Sequence, residues 1–350
     1  MRTFKPFALI ATLSLALSCI GASAGESEMP QVSREIKASI EMAQRFIASQ
    51  QKSDGSYMGG EGHLTAIVAS CTLAFMATGN LPGEGPYARN VSLGVNYIVG
   101  SAQPSGMLLK NNNASGPMYN HGLATLCLSE VWGQTRDPRV SEKLHKAIEL
   151  HIRCQGPGGS WTYQPKPQDG DLSITIMQVL ALRAAKDAGV PVPKETIDRA
   201  LRFVFACKCP PDGNGFTGFG YSGPSGAKFS TSSAAVMALQ VCGDYKPGDL
   251  KGGLEYIMNA RKTRLDQNEW YMYGHYYAGQ AIFQSSRFQG FEKYWKWWYP
   301  SVSQELMSKQ VKSGQNRGSF TVQGAPGMLS TAWPVLVLAI PYNYLPIYQK

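Results

Sequence analysis

Apolar residues recur at helical spacing along most of the chain, in two alternating kinds of segment. In the first kind they occupy a single face: Ile36, Ile40, Ala43 and Ile47 in one case, Ala200, Phe203, Val204 and Cys207 in another. Further segments of this kind begin near Val91, Ser141, Leu250 and Pro300. The second kind is apolar nearly all round and covers 63–78, 119–132, 172–188, 230–242, 272–284 and 329–340. A helix of that composition needs burial on most sides, whereas a one-faced helix needs it on one. The alternation predicts six helical hairpins in an all-α fold, an α6/α6 toroid or barrel with the richer helices as the inner ring. Closure rests on the count of six, since an open solenoid has the same pattern.

The joints between the two kinds of segment repeat as well. Gly55-Ser56-Tyr57, Gly159-Ser160-Trp161, Asn268-Glu269-Trp270 and Gly318-Ser319-Phe320 each place Gly or Asn two residues before an aromatic. Gly or Asn accepts the left-handed backbone of a sharp reversal, and the aromatic covers the joint between units. Gly213-Asn214-Gly215-Phe216 is a longer variant, and the second repeat, near Gly106, reads as degenerate.

Composition adds a compartment. Arg2 and Lys5 precede an apolar run from Phe7 to Leu17, and Ala22-Ser23-Ala24 offers a small-residue cleavage site before Gly25. This is the pattern of a secretory signal over 1–24, leaving one toroid domain over 25–350 that is secreted or periplasmic. No second apolar run is long enough for a transmembrane helix. The formal net charge is +9, but the cations are scattered rather than clustered, so nucleic acid is not an expected partner. Cys71, Cys127 and Cys242 fall inside apolar helices as small hydrophobes. Cys154 and Cys207 share one repeat offset, and an oxidising compartment permits a disulfide between them, or one using Cys209.

The spacing Ala-x-x-Leu-His-x-x-x-Gln-x-x-x-Gly-x-Trp over 147–161, echoed over 43–57, resembles the QW repeat of squalene and hopene cyclases. Their superfamily shares an α/α toroid with protein prenyltransferase β subunits. The resemblance implies the scaffold over about residues 30–345, while function lives in sites grafted on it. The cyclases' Asp-x-Asp-Asp acid motif has its nearest counterpart in Asp169-Gly170-Asp171-Leu172, which lacks the last carboxylate. The prenyltransferase zinc motifs are approached by Asp171-Leu172-Ser173, with Ser in place of the thiolate, and by Tyr119-Asn120-His121. No complete zinc set results, and no cofactor is assigned.

Aligned inner helices set His63, His121 and His275 at the head of His-x-x-Ala segments ending at Ala66, Ala124 and Ala278, with Thr231 and Thr331 in the corresponding places. In a closed toroid these would ring one mouth, joined by Asp169 and Asp171. Catalytic candidates are therefore Asp171, His121, His275 and His63, with Tyr119, Tyr273, Thr231 and Asp169 lining the cavity. Imidazoles beside carboxylates suit proton transfer or metal binding. The alternative is that the repeat uses His, like Thr, as a hydrogen-bonding residue at a helix start. Tyr271, Tyr273, Tyr276 and Tyr277 suit either an aromatic pocket or inter-helix packing, and the run from Tyr294 to Tyr299 suits outer-ring packing. The expected function is binding of a small-molecule or polymer ligand in the central cavity. The alternatives are a cyclase-like or transferase-like enzyme, a polysaccharide lyase or hydrolase, and a non-catalytic envelope scaffold.

Overall fold

A computed structural model of the chain describes residues 29–60, 62–110, 116–243, 247–263, 270–323, 325 and 327–349. The signal segment, Glu61 and the pair Asn268-Glu269 lie outside the described residues. The one-faced helices are α1 (Arg34–Gln50), α3 (Ala88–Gly100), α5 (Pro138–Cys154), α7 (Lys194–Ala206), α9 (Pro247–Thr263) and α11 (Glu292–Ser308). Between them come the richer helices α2 (Leu64–Met76), α4 (Pro117–Thr135), α6 (Leu172–Asp187), α8 (Phe229–Cys242), α10 (Tyr271–Ser285) and α12 (Leu329–Leu338). The richer six pack in the order α2, α4, α6, α8, α10, α12, and α12 packs back on α2. The ring is closed, and the fold is an α/α toroid.

Helix α11 starts at Glu292, eight residues before the expected Pro300, which lies inside it. The aromatic run supplies the reason: Tyr294, Trp295, Trp298 and Tyr299 are all buried at helical spacing, with Trp295 and Tyr299 stacked at 4.6 Å. All six described cysteines are free thiols, so no disulfide joins Cys154, Cys207 and Cys209. Among the described residues no helix is long and apolar enough to cross a membrane.

The repeated Gly is the hinge on which neighbouring units meet. Gly55, Gly106, Gly159 and Gly318 all have φ between +86° and +101°. A Cβ on them would lie only 2.2–2.3 Å from the carbonyl oxygens of Leu93, Lys146, Arg199 and Met42, respectively, each on the next outer helix. The second repeat is therefore not degenerate at this joint, because Gly106 does there what Gly159 does one unit later. In three of the units a Gln ties the same seam. Gln51 donates to Gly55 O and Asn90 O, Gln155 to Gly159 O and Thr196 O, and Gln310 to Gly318 O and Ser39 O.

Gly318 and Gln310 seal the last unit to α1, so Gly318→Ala tests closure in solution. It should cost at least about 3 kcal/mol, combining backbone strain with main-chain overlap. Gly290→Ala, also at positive φ but with open space around it, should cost only about 1 kcal/mol. Equal midpoints for the two variants in urea unfolding would speak against a closed ring.

The inner-helix N-termini all open on one face. At the other end the chain folds back in two 3-10 turns, Ile340–Tyr342 and Pro346–Tyr348, the second packing on α4 and α6. Leu345, Ile347 and Tyr348 are buried there, held by Gln284 donating to Ile347 O and Arg287 to Tyr348 O. The barrel is thus stoppered at one end and entered from the other.

Candidate functional site: the barrel mouth

A cavity of about 710 Å³ lies where the inner helices begin. Its walls come from their first two turns: His63 and Ala66 on α2, Tyr119 and Leu123 on α4, Ser173 and Met177 on α6, and Ser230 and Thr231 on α8. Tyr273 on α10 and Leu329 and Trp333 on α12 complete the ring. Tyr163, Tyr221, Lys228 and Trp270 reach it from the joints. Most of this surface is aromatic or aliphatic, and its size suits a small organic ligand.

The expected lining residues Tyr119, Tyr273 and Thr231 are where the alignment put them. Asp169 is not. It is exposed and accepts hydrogen bonds from Gly158 N and Ser160 Oγ, bracing the turn before α6. Asp171 is buried one layer behind the wall as the N-cap of α6. Its Oδ1 accepts from Ser173 N at 2.8 Å, Ser173 Oγ at 2.5 Å and Ile174 N at 3.3 Å. Ser173 Oγ in turn lies 3.0 Å from the Tyr119 hydroxyl, and Tyr273 donates to Ser173 O at 3.0 Å. Tyr163 and Tyr221 share a hydrogen bond between their hydroxyls, linking two joints across the rim. Burial pushes Tyr119 up to about 12 and Tyr273 well above the ordinary tyrosine value. Both hydroxyls therefore stay protonated at neutral pH.

The three histidines do not form a ring. His63 is the N-cap of α2 and faces the cavity, half-buried, its ring edge-on to Tyr119 at 6.3 Å. His121 and His275 are the fifth residues of α4 and α10, five positions further along than His63 on α2. At about 100° per residue that turns their side chains about 140° away from it. Both are fully buried between inner and outer rings. His121 stacks on His151 at 4.1 Å and its Nδ1 accepts from Leu108 N at 3.3 Å. His275 donates from Nδ1 to Tyr271 O at 2.8 Å and stacks on the Tyr271 ring.

The Leu108–His121 bond has close counterparts elsewhere. Trp161 N donates to Thr175 Oγ1, Phe219 N to Ser232 Oγ and Phe320 N to Thr331 Oγ1. His121 thus fills a structural slot of the repeat that elsewhere holds Thr or Ser. Among the described residues, no three His, Cys, Asp or Glu side chains converge as a metal site would need.

Sequence reasoning missed Tyr163, Tyr221, Lys228, Trp270 and Trp333 as cavity residues. A signal existed for two of them. Trp161-Thr162-Tyr163 and Phe219-Gly220-Tyr221 repeat one pattern, a buried joint aromatic followed two residues later by a tyrosine at the mouth.

The sequence matches no protein-family model and no curated protein. Solved structures do resemble it. An α-1,6-mannanase from Salegentibacter sp. HEL1_6 superposes with a TM-score of 0.63 at 9% identity, over 88% of this chain and 99% of that one. A type II terpene cyclase from Scytonema does so with a TM-score of 0.58 at 13% identity, over 89% and 98%. An α-amylase from Clostridium perfringens gives 0.54 at 10% identity, over 86% and 97%. At these identities the likeness is one of fold, and the chain has the α/α-toroid fold of these proteins.

Proposed function

We propose that this chain is an exported binding protein that holds an apolar ligand of terpenoid dimensions in the mouth cavity. The observation that carries this reading is the lining, in which aromatic and aliphatic side chains dominate and no described carboxylate reaches the surface. Glycoside hydrolysis ordinarily needs two carboxylates flanking the bond to be cut, so a hydrolase is the weaker reading despite the mannanase likeness. Aromatic walls suit a prenyl chain by area burial and by contact with ring faces. The signal pattern over 1–24 supports export, and a mature N-terminus at Gly25, read by N-terminal sequencing, is its test.

A second reading, catalysis on the same ligand class in the manner of a cyclase or transferase, is favoured by one feature. The chain Asp171–Ser173–Tyr119 connects a buried carboxylate to the cavity wall through two hydroxyls.

Two of the structural neighbours have been solved as complexes, the cyclase with geranylgeranyl dihydroxybenzoate and the mannanase with α-1,6-mannotriose. Their ligands suggest discriminating probes. Calorimetric titration should show saturable 1:1 binding of geranylgeraniol and none of mannotriose. The reverse pattern would overturn the apolar reading. Geranylgeraniol recovered unchanged after incubation supports a binding protein. A new product that disappears in Asp171→Asn would move the chain to the enzymes.

A further inference from the structure

The first-turn amides of an α-helix lack intrahelical acceptors and must find others. Around this mouth every inner helix but one has at least one of these amides paired. Ala66 N of α2 donates to Asn120 Oδ1 at 3.0 Å, and Met118 N of α4 to Tyr163 O at 3.1 Å. In α6, Asp171 takes Ser173 N and Ile174 N, while Leu172 N reaches Tyr221 O at 2.8 Å. Met272 N of α10 donates to Gln323 O, and α12 opens with short bonds from Ser330 N to Gly327 O and Thr331 N to Met328 O.

Helix α8 differs. Its cap residue is Lys228, whose ammonium has no acceptor atom for the first-turn amides, and the capping contact present runs the other way, from Lys228 N to Thr231 Oγ1. Among the described residues the amides of Phe229, Ser230 and Thr231 meet no acceptor.

A second, independent feature lies at the same place. Ser230 is only 6% exposed and lines the cavity, yet its hydroxyl has no hydrogen-bond partner among the described residues. Its neighbour Thr231 is committed, donating to Phe219 O at 2.6 Å and accepting from Lys228 N at 3.3 Å. That hydroxyl opens on the cavity rather than being sealed in the core, so a ligand oxygen seated there can serve as its partner. Open amides at the end of a 14-residue helix form a ready site for an oxyanion, through their N–H groups and the helix dipole. Across the ring from α8 stand α2 and its neighbours, which contribute Ala66, Leu123, Leu329 and Trp333, a wall suited to hydrocarbon.

We propose that the ligand is an amphipathic anion, its carboxylate or phosphate head seated on the first turn of α8 against the Ser230 hydroxyl and its apolar body directed toward α2 and α12. This rests on the reading of the cavity as an apolar ligand site and adds the chemistry and orientation of the ligand.

Three probes with one hydrocarbon chain test it at pH 7.5: geranylgeraniol, geranylgeranoic acid and geranylgeranyl monophosphate, titrated calorimetrically. At least one anion should bind about 10- to 100-fold more tightly than the alcohol, the gain of one or two charge-assisted hydrogen bonds. The tighter anion names the head group. Ser230→Ala should reduce that preference about tenfold or less, and Ser230→Asp, which puts a negative charge at the seat, should abolish it. Circular dichroism and the melting temperature check that both variants keep the fold, and alcohol and anion affinities are measured side by side so that the preference is read as a ratio. Equal binding of alcohol and anions to the wild type, or a preference that survives Ser230→Asp, overturns the head-group site while leaving the cavity reading in place. If none of the three binds, the cavity reading falls and this inference falls with it.

Discussion

Between pH 7 and pH 5 the folded chain is expected to lose roughly 4 kcal/mol of stability through two buried histidines, His121 and His275, with a third, His151, adding to the loss. Burial lowers His121 to about 3 and His275 to about 3, and holds His151 well below the ordinary histidine value. Each imidazolium would have to form in a site that cannot hydrate it. His151 also faces the ring of His121, and Arg261 and Lys309 act on His275 in the same direction.

In the unfolded chain these residues titrate near 6.5. Below that pH the unfolded state binds more protons than the folded one, so stability is greatest above about 6.5 and declines as pH falls toward the folded values. At pH 5 the loss is roughly 2 kcal/mol for His121 and roughly 2 kcal/mol for His275, against a total of about 5–15 kcal/mol for an ordinary domain. Urea unfolding at pH 7.5, 6 and 5 measures it. His121→Asn, which keeps an acceptor for Leu108 N, should remove roughly 2 kcal/mol of the dependence. A pH-independent midpoint would mean that these imidazoles are not buried as described.

The same residues mark the limit of what could be read from sequence. The inner ring was legible almost to the residue, since a helix that is apolar on all sides has one suitable place in a two-layer toroid. Three joints, at Tyr57, Trp161 and Phe320, were legible because a left-handed Gly beside an aromatic is a backbone requirement rather than a preference, whereas the buried aromatic of the fourth is Phe219 rather than Phe216 and Trp270 stands exposed. The contents of the mouth were less so. His63, His121 and His275 share a local motif, but a shared motif does not fix the turn of the helix on which it falls. One places its ring in the cavity, and the other two place theirs behind the wall. Asp169 and Asp171 are adjacent but one, and one braces an exposed turn while the other caps a helix. Their roles depend on where α6 begins, which a boundary read from periodicity cannot resolve. Trp333 was hidden for a different reason. On a helix buried all round, nothing in the pattern says which face meets the cavity.

Filling the cavity is the second change with a large expected effect, because it should abolish binding while leaving the fold intact. Leu123 stands on the wall, with only 4% of its surface exposed, and Tyr119, Met177 and Trp333 line the same cavity. Its replacement by Trp puts an indole into open space rather than into a packed core, so the strain ordinarily incurred by enlarging a core residue is small. The added apolar contact should hold the melting temperature at or above that of the wild type. The decisive measurement is calorimetric titration of geranylgeraniol into wild-type and Leu123→Trp protein. The expected result is 1:1 binding to the wild type and at least about a 100-fold loss in the variant, with the melting temperature maintained. Undiminished binding to the filled barrel would place the ligand elsewhere and contradict the central cavity as its site.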